Sequence, residues 1–152
     1  MDGNIPSPEK TSEWLNLNSI MARMTSEGLA DLSLLALWEI RGALEKENGS
    51  KAAANCNISA ASQWVIISGT QLYNEVLKAS PLNEHQAKIT KGGPLYNGDA
   101  GFSQSRWQFW KLRFKDEVDK DVAEMAQQAA CAMEAIEKKR KRKRNQDLDR
   151  SD

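Results

Sequence analysis

Length, composition and charge narrow the classes of protein that this chain can be. Its 152 residues, of which 40% are hydrophobic, suit one domain with an ordinary core. The two cysteines, Cys56 and Cys131, lie far apart, and His85 is the only histidine. A disulfide framework and a multi-histidine zinc site are therefore excluded, and we expect no metal and no cofactor.

The termini and the charge distribution suggest how the chain is organised. The first residues lack the features of a signal peptide, and no apolar run approaches the roughly 20 residues that cross a bilayer, so we expect an intracellular protein with no membrane partner. Residues 1–137 hold 13 basic and 18 acidic residues, a net charge of −5, whereas residues 138–152 hold 8 and 3, a net charge of +5. We predict an irregular arm over 1–10, a helical domain over 11–137 and a basic, disordered tail over 138–152.

Apolar residues recur at steps of three and four, and no window alternates with a period of two, so the fold is predicted to be all-α. We expect a single-domain bundle of about four helices. The first runs to about Thr25 and begins after a cap at Ser7, Thr11 or Ser12. Four residues define its expected core face, namely Trp14, Leu17, Met21 and Met24.

The second and third helices follow in the same way. The second begins near Asp31 or Ser33 and stops near Gly49. Its core face is expected to include Leu34, Leu37, Trp38, Arg41 and Leu44. Residues 51–57 form a loose connection, and a central third helix runs from about 58 to 78. Within it, Gly69 marks either a close helix crossing or a break.

A long glycine-rich loop over residues 79–102 leads into a fourth helix, predicted from Ser103 to about Glu137. Ser103 is the expected N-cap, with Phe102 and Trp107 clasping across it as a hydrophobic staple. Trp110 and Phe114, one turn apart, are expected to be almost inaccessible to solvent. Because a helix of this length exceeds what a small bundle needs, we expect its alanine-rich end to project or to pair with a second copy as a homodimer.

Three blocks of sequence together resemble a known family. The first two blocks are Ala36–Arg41 and Gln63–Gly69. The third combines Gly92–Tyr96 and Gly101–Ser103 of the glycine loop with the tryptophan-rich stretch Arg106–Phe114. Over about residues 15–137 the chain resembles a fungal family of small helical proteins catalogued as a domain of unknown function. The resemblance implies a compact helical domain in a filamentous fungus, and it carries over no catalytic residue.

The joint between the loop and the fourth helix is one candidate site. Its aromatic residues either fill the core or line a pocket for an apolar or aromatic ligand, with Arg106 and Asp99 as polar anchors. The candidate pocket residues are Tyr96, Asp99, Phe102, Arg106, Trp107 and Trp110. This alternative would make the protein a small-molecule-binding protein or a cofactor-independent enzyme.

Seven consecutive cations form the other candidate site: Lys138, Lys139, Arg140, Lys141, Arg142, Lys143 and Arg144. Such a run suits the acidic groove of a nuclear import receptor or a phosphate backbone, and its third interpretation is a solubilising tail. The leading hypothesis is a non-enzymatic interaction module that the tail directs to the nucleus. The expected location is the nucleus or the cytoplasm. A nucleic-acid accessory protein is the weaker alternative, and the protein partner is unknown.

Overall fold

The computed structural model describes residues 7–117 and 119–151. Over these residues the chain forms helices and no strands, which confirms the all-α prediction. The helices are α1 (Pro8–Ser26), α2 (Ser33–Leu44), α3 (Lys51–Lys78), α4 (Glu84–Ile89), α5 (Gln104–Lys115) and α6 (Lys120–Arg150). Residues 1–6 of the predicted arm lie outside the described residues.

Helix α3 lies at the centre of the fold and packs against α1, α2, α5 and α6. Its middle is apolar on nearly every side, and Trp64, Val65 and Leu72 are fully buried. At Gly69 an added Cβ would lie 2.7 Å from Cδ1 of Ile136 on α6, which confirms a close crossing. The helix also kinks at Ser68, whose φ of −120° is not helical.

The predicted fourth helix is wrong as one element, because it is two helices that form an antiparallel hairpin. Asp119 breaks the run by capping α6, since its side chain accepts a hydrogen bond from the backbone N–H of Asp121 at 3.0 Å. Ion pairs of Lys111 with Glu137 and of Lys115 with Glu134 join the two helices. The apolar spacing crosses the break because α5 and α6 face the same core. Val118, in the predicted apolar series, lies outside the described residues.

Three other boundaries differ from the prediction. Residues 51–57 are the first turns of α3 and not a loose connection, because alanine favours helix and Ser50 accepts a hydrogen bond from Ala53 N at 3.1 Å. The long loop contains α4, which an Asn83–Gln86 capping box starts. Helix α1 begins at Pro8 after an N-cap at Ser7, so the irregular arm does not extend to residue 10.

The C-terminal residues depart from the predicted disorder, since α6 continues as a helix to Arg150. Its first half supplies buried side chains to the core, including Val122, Ala126 and Met133. From Lys141 onwards every described residue is exposed. The helix α6 therefore continues beyond the part that packs against the rest of the bundle.

The core face of α1 is rotated from the predicted stripe. Asn18, Ala22 and Thr25 are buried, whereas Leu17 and Met24 are exposed. Asn18 is accommodated in the core because its Oδ1 accepts a hydrogen bond from Trp64 Nε1 at 2.8 Å. A polar residue with a buried partner thus takes the place expected for an apolar one.

Candidate functional site

A fully buried ion pair joins the end of α2 to the start of α5. Arg106 Nε donates to Glu45 Oε2 at 2.8 Å, and Arg106 Nη2 donates to Glu45 Oε1 at 2.9 Å. Both side chains are completely excluded from solvent. This two-point geometry is the strongest form of a charge-assisted hydrogen bond, and we name the pair the Glu45–Arg106 clamp.

The clamp also holds the segment between α4 and α5. Trp110 Nε1 donates to Glu45 Oε2 at 2.6 Å, and Gly93 N donates to Glu45 Oε1 at 2.9 Å. The other Arg106 donors reach the carbonyl oxygens of Thr90 at 2.6 Å, Gly101 at 3.1 Å and Lys91 at 3.4 Å. All five N–H groups of the guanidinium are therefore used by protein acceptors.

Gly93 lies where the loop touches α2 most closely. A Cβ at this position would be 2.6 Å from the backbone oxygen of Glu45. That same oxygen accepts a hydrogen bond from Leu95 N at 2.8 Å. Glycine is required here because a larger residue would force the loop away from the clamp.

The six pocket residues predicted from the sequence separate into a packed cluster of four and two residues that lie elsewhere. Arg106 and Trp110 belong to the clamp, and Phe102 packs edge-on against Trp110 with 6.2 Å between ring centroids. Tyr96 is buried beside them, with the Arg106 guanidinium carbon 5.4 Å from its ring centroid and its hydroxyl 2.9 Å from Ser105 Oγ. These side chains pack on one another, and Arg106 has no donor left for a ligand in this conformation.

The two remaining pocket candidates point elsewhere. Trp107 faces Tyr73 of α3, with ring centroids 4.8 Å apart, and donates from Nε1 to Glu137 at 2.8 Å. The predicted staple therefore takes a different form: Ser103 caps α5, but Phe102 packs on Trp110 while Trp107 pairs with Tyr73. Asp99 is exposed on the loop. Trp110 and Phe114 are fully buried, as expected.

Sequence reasoning missed Glu45, the central acceptor of the clamp. One signal was available, since Glu45 comes directly after Leu44, which the apolar pattern assigned to the core face of the second helix. A carboxylate at the edge of a core face needs a cation or several donors. Nothing in the order of residues indicated that Arg106, so far along the chain, supplies them.

The seven cations of residues 138–144 differ in their exposure to solvent. Just before them, Glu137 accepts hydrogen bonds from Trp107, Gln108 and Lys111 and so fixes α6 against α5. Arg140 is half-buried and donates to Asn74 of α3. The other six predicted cations, Lys138, Lys139, Lys141, Arg142, Lys143 and Arg144, are exposed.

Residues 7–117 and 119–151 contain neither a helix that could span a membrane nor a metal-binding cluster. No helix in that part of the chain is long and apolar enough to cross a membrane. Within the same residues, no group of three or more His, Cys, Asp and Glu side chains is placed to hold a metal ion.

The fold and the clamp define an all-α protein in which a glycine loop is tied to two helices by one buried ion pair. A family model described as "Protein of unknown function (DUF3632)" matches residues 2–114. The chain belongs to this family, which confirms the resemblance to a domain of unknown function, while the fungal source stays a prediction. The matched range contains the clamp and ends before α6. Searches of the curated proteins and of the solved structures found no match to the chain.

Proposed function

We propose that this protein is a non-enzymatic interaction module and that the cations of residues 138–144 direct it to the nucleus. The observation that carries the proposal is the seven-cation run on the projecting end of α6, of which six side chains are exposed. At 1.5 Å of rise per residue, seven charges lie within about 10 Å of helix axis. Because these positive charges repel one another, an acidic partner that neutralises them is favoured.

The partner surface has an apolar component as well. A groove of about 830 Å³ runs between α6 and the ends of α3 and α5. Its wall includes the apolar side chains of Tyr73, Leu77 and Leu148. Four cations, among them Arg140 and Arg144, outnumber the two acids, Glu137 and Asp147. Cations beside apolar side chains suit an acidic protein segment, since a phosphate backbone would use only the charges.

The same arrangement disfavours a homodimer contact through residues 138–144, which lie beyond the alanine-rich part of the helix where pairing was predicted. Two copies of α6 placed side by side over residues 138–144 would oppose like charges along the whole run, which is unfavourable at short range. An acidic receptor has the opposite sign and meets no such penalty. The interaction module is therefore proposed to bind other proteins through this segment.

Nuclear accumulation of reporter fusions tests the proposal. A reporter fused to residues 137–145 is expected to concentrate in nuclei, and the full chain with residues 138–144 all replaced by glutamine is expected to distribute evenly. A control variant replaces four exposed cations elsewhere by glutamine and should leave localisation unchanged; these are Lys10, Lys51, Lys88 and Lys120. Cytosolic retention of the reporter would overturn the import proposal.

DNA binding measured against salt separates the weaker alternative. If the seven cations contacted phosphates of duplex DNA, the logarithm of affinity would fall against the logarithm of salt concentration with a slope of up to about −6. The import proposal predicts little affinity for DNA. A steep salt dependence that the glutamine replacement abolishes would favour the nucleic-acid accessory protein instead.

A further inference from the structure

A cationic cleft lies between α2 and the segment that leads into the glycine loop. Its volume is about 410 Å³, and we name it the Trp38 cleft. The lining residues are Trp38, Arg41, Gly42, Lys46, Lys91, Gly92, Gly93 and Pro94. Three of these are cations and none is an acid, although residues 1–137 carry a net charge of −5.

Two of the lining side chains are held in place by the loop. Trp38 Nε1 donates to the Ile89 carbonyl oxygen at 2.9 Å. Arg41 Nη1 donates to the carbonyl oxygens of Ile89 at 3.1 Å and Lys91 at 3.0 Å. Trp38 nevertheless keeps 38% of its surface exposed. A fixed aromatic face and a fixed guanidinium therefore form a preorganised wall.

The charge of the cleft is only partly offset by its surroundings. Glu45, next to Lys46 in the chain, is buried and bound to Arg106, so its charge is already paired. Burial and the charge of Arg106 lower the pKa of Arg41, while Glu45 opposes this change. Burial raises the pKa of the Glu39 carboxyl, and the charge of Lys46 opposes this rise, so Lys46 already interacts with one acidic group. Arg41 and Lys91 are left as the principal anion-binding groups.

We propose that the Trp38 cleft binds a small aromatic phosphate of about mononucleotide size. An indole face stacks on aromatic rings of many kinds, and Arg and Lys are the usual partners of phosphate oxygens. The volume falls within the range of roughly 300 to 1,000 Å³ typical of small-molecule sites. The ligand would place its ring against Trp38 and its phosphate near Arg41 and Lys91.

This site is independent of the basic segment of α6, because the two share no lining residue. It also differs from the aromatic pocket predicted from the sequence, since Tyr96, Phe102 and Trp110 are used in packing around the clamp. The glycines at 92 and 93 do not by themselves indicate a ligand. Added Cβ atoms there would meet Tyr96 and Glu45, so packing alone accounts for them.

Calorimetric titration of the full chain with two probes, adenosine 5′-monophosphate and phenyl phosphate, tests the proposal. At least one probe is expected to bind at least about tenfold more tightly than inorganic phosphate or adenosine alone, because only the probes use both walls. Trp38→Leu and Lys91→Glu are each expected to weaken that binding by about tenfold or more. Lys88→Glu, an exposed lysine outside the cleft, is the matched control and should leave it unchanged.

Thermal melting of each variant shows whether it remains folded, and Lys91→Ala serves if the charge reversal unfolds the chain. The proposal is overturned if neither probe binds at millimolar concentration. It is also overturned if Lys88→Glu weakens binding as much as Lys91→Glu, since that result means general attraction of anions to surface lysines. Equal binding of adenosine and its monophosphate would likewise exclude the phosphate contacts.

Discussion

Glu45 and Arg106 lie 61 residues apart in the sequence but form a two-point ion pair from which water is excluded. Their contact fixes the C-terminal end of α2 against the first turn of α5. Because Arg106 also holds three loop carbonyl groups, the position of the glycine loop depends on the same side chain. The clamp is therefore a tertiary joint between three parts of the chain.

Glu45→Gln is expected to lower the free energy of unfolding by about 3 to 5 kcal/mol, because it leaves the buried Arg106 charge without its counter-ion. Urea denaturation followed by circular dichroism measures the change. The double variant Glu45→Met with Arg106→Met should recover much of this loss, since it removes both charges.

The control for the clamp is an exposed ion pair on the α5–α6 hairpin. Glu134→Gln removes the partner of Lys115, where water screens both groups, and little change in stability is expected. If Glu45→Gln behaves like Glu134→Gln, the buried pair is not the joint described above.

Gly93→Ala is expected to destabilise the fold by about 1 to 3 kcal/mol, because the new methyl group meets a backbone oxygen that cannot rotate away. Gly49→Ala is the matched control, since a Cβ there has no neighbour within 4 Å. Differential scanning calorimetry of both variants gives the comparison. Equal midpoints would show that the loop moves freely over α2.

Deletion of residues 138–152 is expected to lower the helical signal but to leave the midpoint of melting almost unchanged. The deletion removes the α6 residues after Glu137, most of them exposed, and keeps Val122, Ala126 and Met133 in the core. Ending the chain at Lys120 instead removes that buried face and should abolish cooperative melting. A large fall in the midpoint of the shorter deletion would show that the basic segment stabilises the bundle.

Glu39→Gln is expected to raise stability near neutral pH and to have little effect in acid. Burial raises the pKa of Glu39 above its ordinary value of 4.5, and Lys46 only partly opposes this. As pH rises through that value, the unfolded chain ionises first, so native stability falls until the native pKa is passed. The loss is absent at about pH 3.5, where both states are protonated.

Thermal midpoints of the variant and the natural chain, measured at about pH 3.5 and pH 7, test this sign. Glu13→Gln, which replaces an exposed carboxylate on α1, is the control. A variant that is stabilised in acid and not at neutral pH would contradict the assignment.

Capping residues show how far local pattern predicts this fold. Ser103 was identified as a cap, and Ser7 was one of three candidate caps, because their side-chain oxygens precede helical runs. The break at Asp119 was missed because apolar spacing continued through it, and spacing alone does not distinguish one long helix from a hairpin of two. Apolar spacing also assigned Leu17 to the core, although Asn18 is the buried residue. Asn18 is buried because its hydrogen-bond partner, Trp64, lies on another helix, which local spacing does not reveal.

The sequence by itself determined the all-α class, the central position of the third helix, the burial of Trp110 and the charged C-terminal segment. Each of these follows from residues close together in the chain, through periodicity, capping or charge density. Only the tertiary structure decided that Glu45 meets Arg106 and that Trp38 and Arg41 face a cleft. Those relationships depend on contacts between helices far apart in the chain, which no local spacing encodes.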